Sequence, residues 1–181
     1  MKRLVVVLAS GLLWLGLPVT DLVAQPSTCQ GQTINDNRPT DNDDFLTGTS
    51  GIDIAALGSG NDQYFASDAG DVLCGNEGDD VLGGELGPDL LNGGVGDDIV
   101  AGLGGNDVLI AGDGADKVEG GNGDDTLRVG NADGIQDDLY DGAGSDTIIG
   151  NDEDIWHRCA DGEPDDGSQF TGAVVPDTDC S

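Results

Sequence analysis

The sequence predicts an all-β fold, a tandem stack of short strands, and three observations carry that prediction. Asp53, Asp62, Asp71, Asp80, Asp89, Asp98, Asp107, Asp116 and Asp125 recur every nine residues without a slip. Two residues before each stands a small residue suited to a turn: Gly51, Gly60, Ala69, Gly78, Gly87, Gly96, Gly105, Gly114 or Gly123. Two residues after each stands an apolar one: Ala55, Tyr64, Leu73, Leu82, Leu91, Val100, Leu109, Val118 or Leu127. Each unit therefore reads as a glycine turn, an Asp, and a short strand that points one apolar side chain inward.

Composition says what such a stack must do without. The chain has 181 residues, 32 of them Gly, with only 3 Phe, 2 Tyr and 2 Trp, so few bulky groups are available to fill an ordinary core. Something besides core volume has to hold it. Lys and Arg number 6 against 36 Asp and Glu, a net charge of −30. Nucleic acid and anionic membrane surfaces repel such a chain, which leaves cations and basic surfaces as partners.

In chain order, residues 1–24 are expected to be a secretory signal peptide, with Lys2 and Arg3, an apolar run from Leu4 to Leu17, and an exit from Pro18 to Ala24. The alternative is an uncleaved anchor, for which this run is short, since a span takes about 20 apolar residues. The protein is therefore expected to be secreted, with the periplasm or the cell surface as variants. Cys29, Cys74, Cys159 and Cys180 suit that compartment, being even in number and without a C-x-x-C pair. Two disulfides are expected rather than a zinc site, with all three connectivities open and free buried thiols as the alternative.

Residues 25–47 form an N-terminal segment, and residues 48–158 the repeat region. Past Asp125 the register breaks: Asp137 follows after twelve residues, which implies three inserted residues, and Asp146 after nine more, with Gly144 and Ile148 in place. Asp154-Ile155-Trp156 repeats the order after eight, a degenerate last strand in which Trp156 is expected to cap the apolar stack. Residues 159–181 read as an irregular tail tied by Cys159 and Cys180, with disorder as the competing reading.

Gly93 to Ala101 reads GGVGDDIVA and Gly120 to Arg128 reads GGNGDDTLR. Both match G-G-x-G-x-D-x-U-x, with U apolar, and over roughly residues 48 to 158 the chain resembles the RTX, or haemolysin-type, calcium-binding nonapeptide repeat. Other units vary at the first two glycines, as in Leu57-Gly58 and Ala66-Ser67. The resemblance implies a right-handed parallel β-roll, a β-solenoid in which two nonapeptides complete one coil and calcium lies between stacked coils. Proteins of that family commonly leave the cell by a dedicated exporter reading a C-terminal signal, so an N-terminal signal here implies a different route.

In such a roll every second Asp stacks on one edge: Asp53, Asp71, Asp89, Asp107 and Asp125 on one, Asp62, Asp80, Asp98 and Asp116 on the other. Carboxylates about 4.8 Å apart repel by about 0.9 kcal/mol in water and about 3.5 kcal/mol at an effective dielectric of 20, at every rung. Cations between the coils relieve this. Calcium accepts irregular shells of oxygen, whereas magnesium holds to an octahedron and its waters, and the absence of His and Cys from the expected site disfavours zinc and copper. The expected ligands are these nine Asp together with Asp137 and Asp146, for about seven ions in the regular region. Asp79, Asp97 and Asp124, beside ladder residues, are expected to face solvent and attract the ion rather than bind it.

The roll would also expose an apolar stripe of Ile54, Val72, Leu90 and Val108, with Cys74 in it. Either a Cys29–Cys74 disulfide draws the segment from Gln25 to Phe45 across this face, or a protein or surface partner covers it. The opposite face, with Gln63, Lys117 and Glu119 beside Val81 and Ile99, reads as wetter.

No enzyme is expected. His157 is the sole histidine and reads as a solvent-facing end residue, and no G-x-S-x-G elbow, phosphate loop or H-E-x-x-H helix occurs. Three functions compete: an exported calcium-binding protein that folds on the ion, an adhesive or matrix module using the roll as a scaffold, and, least supported, a hydrolase.

Overall fold

The computed structural model describes residues 28–29, 32–33, 41–130, 135–150, 154–159 and 173–177. The signal-peptide reading of residues 1–24 and the side chains of Cys159 and Cys180 lie outside them. A short antiparallel hairpin comes first, β1 (Thr28–Cys29) with β2 (Gln32–Thr33). The later described strands form two parallel sheets, with successive strands alternating between them up to β15, after which β16 joins the same sheet as β15.

One sheet has six strands: β4 (Ile54–Ser59), β6 (Val72–Glu77), β8 (Leu90–Val95), β10 (Val108–Asp113), β12 (Thr126–Arg128) and β14 (Thr147–Ile149). The other has eight: β3 (Phe45–Thr47), β5 (Gln63–Phe65), β7 (Val81–Gly83), β9 (Ile99–Gly104), β11 (Lys117–Asn122), β13 (Asp138–Ala143), β15 (Ile155–Cys159) and β16 (Ala173–Asp177). A residue pairs with the one 18 positions on, as in Leu73 with Leu91, so two nonapeptides make one coil and the expected β-roll is observed. The three-residue insertion is absorbed in the turn, because Val118 pairs with Leu139, 21 positions on.

The second residue of each strand from β4 to β14 points inward. Ala55, Leu73, Leu91, Leu109, Leu127 and Ile148 from one sheet meet Tyr64, Leu82, Val100, Val118 and Leu139 from the other, all 0 % exposed. Leu57, Ala66, Ala111 and Trp156 add to it, so the core is thin, with one or two inward side chains from each strand. Each buried Leu contributes about 1.5–3 kcal/mol, but a core this thin leaves most backbone beside the turns, where stability must come from elsewhere.

The structure extends the stack at both ends. The roll begins before residue 48, since Phe45–Thr47 is already a strand paired with β5. At the far end Trp156 does not close the core. It sits in it at 5 % exposure and donates its Nε1–H to Asp141 Oδ2 at 3.2 Å, and β16, from the segment read as an irregular tail, pairs beyond it. The residues AVVPD did not read as a strand because Pro176 lacks an amide donor, and an edge strand is where a sheet tolerates that.

Cys29 is bonded to Cys74 and packs with Ala56, Ile54 and Val72, so the hairpin covers the first part of the apolar stripe. Farther along, Leu90 is half-buried and Val108 is 37 % exposed. The opposite face is wetter at Gln63, Lys117 and Glu119, although Ile99 is also exposed there.

Candidate metal centres

The turn before each strand decides where its Asp points. Along the six-stranded sheet the backbone N–H of each ladder Asp donates to Oδ1 of the Asp one coil on: Asp53 to Asp71 and Asp71 to Asp89 at 2.7 Å, then Asp89 to Asp107, Asp107 to Asp125 and Asp125 to Asp146 at 2.8 Å. Along the other edge the same bond runs from Asp44 to Asp62 at 2.7 Å, Asp62 to Asp80, Asp80 to Asp98 and Asp98 to Asp116 at 2.8 Å, and Asp116 to Asp137 at 2.9 Å. Asp137 in turn donates to Asp154 at 3.2 Å. One oxygen of each accepting carboxylate is thus committed to holding the preceding coil in register.

The second oxygen is not. Oδ2 of Asp62, Asp71, Asp80, Asp89, Asp98, Asp107 and Asp125 is buried and makes no hydrogen bond. A buried charged oxygen without a partner is costly, and the neighbouring carboxylates add to the cost. Burial, with a smaller push from nearby Asp side chains, raises Asp80 and Asp89 to about 7, Asp98 to about 8 and Asp125 to about 6, against an opposing pull from the backbone donor. Burial also raises Asp62, Asp71 and Asp107. These groups are held ready for a positive charge, and 6 Lys and Arg cannot supply it to 36 acids.

The space around Oδ2 is lined with oxygen. Beside Gly93, the place a methyl carbon would occupy lies against Asp98 Oδ2 and 2.6 Å from the carbonyl oxygen of Ala111 in the next coil. Beside Gly102 it lies against Asp107 Oδ2 and 2.7 Å from Gly120 O, and beside Gly84 against Asp89 Oδ2 and 2.9 Å from Gly102 O. Gly75 and Gly120 repeat the arrangement with Asp80 and Asp125. No group of three His, Cys, Asp or Glu side chains converges among the described residues. Each cradle instead brings one carboxylate oxygen together with a peptide carbonyl of the next coil, hard oxygen donors of the kind calcium takes.

The acids of the neighbouring turn position have a different task. Asp79 Oδ1 accepts from Asp97 N–H at 3.0 Å, Asp97 Oδ1 from Ala115 N–H at 2.9 Å, and Asp124 Oδ1 from Ser145 N–H at 3.1 Å. They are exposed, as expected, but they also brace the turn of the next coil, in the opposite direction to the buried ladder. His157 stacks on Tyr140 with ring centroids 4.2 Å apart and lies 3.5 Å from Asp138, an outer-face contact outside the cradles.

The structure brings all eleven expected Asp into the two ladders and adds two, Asp44 and Asp154. Asp44 stands nine residues before Asp53, so the period itself would have reached it. Its turn, Asp41-Asn42-Asp43, lacks glycine, and that hid it.

The family model of the RTX calcium-binding nonapeptide repeat matches residues 40–73, 57–91, 75–109, 92–127, 102–136 and 131–154, the first of these taking in the unit of Asp44. No curated protein and no solved structure matched the chain. With overlapping matches from residue 40 to residue 154 over a two-sheet roll with buried carboxylate ladders, this calcium-binding repeat protein belongs to the RTX calcium-binding nonapeptide repeat family.

Proposed function

We propose that the protein is exported and folds on binding several calcium ions in the cradles between its coils, so that the ordered roll forms where calcium is plentiful. The row of buried Asp Oδ2 atoms without hydrogen-bond partners carries this reading, because an ion beside each removes the penalty that every coil otherwise accumulates. Asp53, Asp62, Asp71, Asp80, Asp89, Asp98, Asp107, Asp116, Asp125, Asp137 and Asp146 are the proposed carboxylate ligands. The apolar run Leu4 to Leu17 and the Cys29–Cys74 disulfide support export. Nothing in the ladders resembles a catalytic constellation.

The test is circular dichroism of the mature, disulfide-intact chain titrated with calcium and, separately, with magnesium. Cooperative gain of β signal with calcium, at levels where magnesium does nothing, is the expected result. A β signal already complete in chelator would sink the reading. It would favour a scaffold of constitutive order, in which the half-exposed Leu90 and Val108 meet a partner.

A further inference from the structure

The N-terminal hairpin joins the roll at a point that spans two coils. Cys29 of β1 is bonded to Cys74 of β6 and packs with Ile54 and Ala56 of β4, one coil earlier. β4 is an edge strand of the six-stranded sheet, paired on one side with β6. An end coil has fewer neighbours than an inner one and frays first. Cys29 is 1 % and Cys74 5 % exposed, so the hairpin is a buried clamp across the first two coils of this sheet. The bond spans 45 positions of sequence, and between its ends lie the ladder residues Asp44, Asp53, Asp62 and Asp71.

In an unfolded chain the effective concentration of the two thiols for each other falls with the length of chain between them. In the roll their Cα atoms stand 5.8 Å apart. We infer that this disulfide is a calcium-dependent lock: ion binding assembles the coils that bring Cys74 to Cys29, and the bond then holds the first coils folded at calcium levels too low for the reduced chain. The inference rests on the calcium reading above. Oxidation by a small-molecule disulfide, such as oxidised glutathione, takes two exchanges. One protein thiolate attacks a sulfur of the small disulfide, releasing one thiolate and leaving a mixed disulfide; the other protein thiolate attacks the protein sulfur of that intermediate and releases the second. Two electrons pass from the cysteine pair to the small disulfide, which leaves as two thiols carrying the two protons. Calcium acts by placing the second thiolate within reach. The coupling is reciprocal: the factor by which calcium favours the bond is the factor by which the bond favours the ion-loaded roll.

The test equilibrates the mature chain with reduced and oxidised glutathione in calcium, in magnesium and in chelator, then quenches with acid, alkylates, and reads the Cys29–Cys74 bond by peptide mapping. The equilibrium constant for the bond is expected to be at least about tenfold higher in calcium than in chelator, and in magnesium to stay at the chelator value. Cys29→Ser removes the bond at a residue outside the two-sheet roll. Its β signal should need about twofold more calcium, since the effect of the bond is shared among several ions. Should Cys29→Ser fail to fold at any calcium level, the redox constants of the unaltered chain decide alone. Equal constants in calcium and chelator, in a chain that still gains β signal with calcium, overturn the lock and leave the functional reading standing, as does a Cys29→Ser chain that folds at the wild-type calcium level. An equal rise in magnesium reduces the effect to charge screening and also overturns the lock. A β signal already complete in chelator overturns both.

Discussion

Within one nonapeptide the glycines do separate work, and the non-glycine exceptions show what each position demands. The second residue of a unit sits in the left-handed region, and Leu103 occupies it with φ of 73° while 39 % exposed. That conformation costs a branched, bulky residue roughly 1–2 kcal/mol, and little apolar burial offsets it. Leu103→Gly is therefore expected to raise the urea midpoint in calcium by an amount equivalent to about 1 kcal/mol; an unchanged or lower midpoint counts against the strain. Asp98 tests the orphan oxygen more sharply. Asn retains an acceptor for the Asp80 amide but removes the charge that calls for an ion, so Asp98→Asn should lower the urea midpoint in saturating calcium by the equivalent of roughly 1–3 kcal/mol. An unchanged or higher urea midpoint in calcium would refute the cradle geometry. The ladder Asp were legible because one residue type recurs at one spacing. The unequal roles of the glycines were not, because whether a Cβ at position 93 meets Ala111 O is a relation between coils rather than within a unit.

At the scale of the strand and its turn, two ladders of side-chain-to-backbone bonds run in opposite directions, buried Asp reaching back one coil and exposed Asp79, Asp97 and Asp124 reaching forward. The buried set makes stability depend on pH in a definite sense. In the folded, ion-free roll Asp80 and Asp89 titrate at about 7 and Asp98 at about 8, above the ordinary 3.8. Raised values mean the folded state holds these protons longer, so their contribution is fully present below 3.8 and is lost as pH climbs through about 8. Calcium substitutes for the protons. The gain of β signal on adding calcium should thus be largest above about pH 8 and shrink steadily toward about pH 5, where protons take the place of the ions; a gain of constant size would remove burial of Oδ2 as the cause. Strand alternation and the three-residue insertion were readable from spacing. The element at residues 173–177 was not, since its short, Pro-containing sequence lacks both the Asp period and a glycine turn and is placed by pairing with Ile155–Cys159.

The whole molecule carries −30 charges around a thin core, so two electrostatic problems are superposed. One belongs to the surface acids, such as Glu77 and Asp124, and is a matter of distance and screening. The other belongs to buried oxygens that have left water, where screening by mobile ions does not reach. Salt separates them. Raising sodium chloride to about 1 M shortens the screening length from about 8 Å to about 3 Å and should compact the ion-free chain by relaxing surface repulsion. It should not build the roll, because sodium in bulk supplies neither the charge nor the fixed oxygen shell that each cradle asks for. Small-angle scattering in chelator is then expected to show a chain that contracts modestly with salt from an expanded state of roughly 40 Å radius of gyration, without reaching the roughly 15 Å of a compact domain of this length. Calcium at low salt should reach the compact state directly. Were sodium chloride alone to produce the compact radius together with full β signal, net charge rather than the buried ladders would be what opposes folding, and the cradles would lose their place in the account.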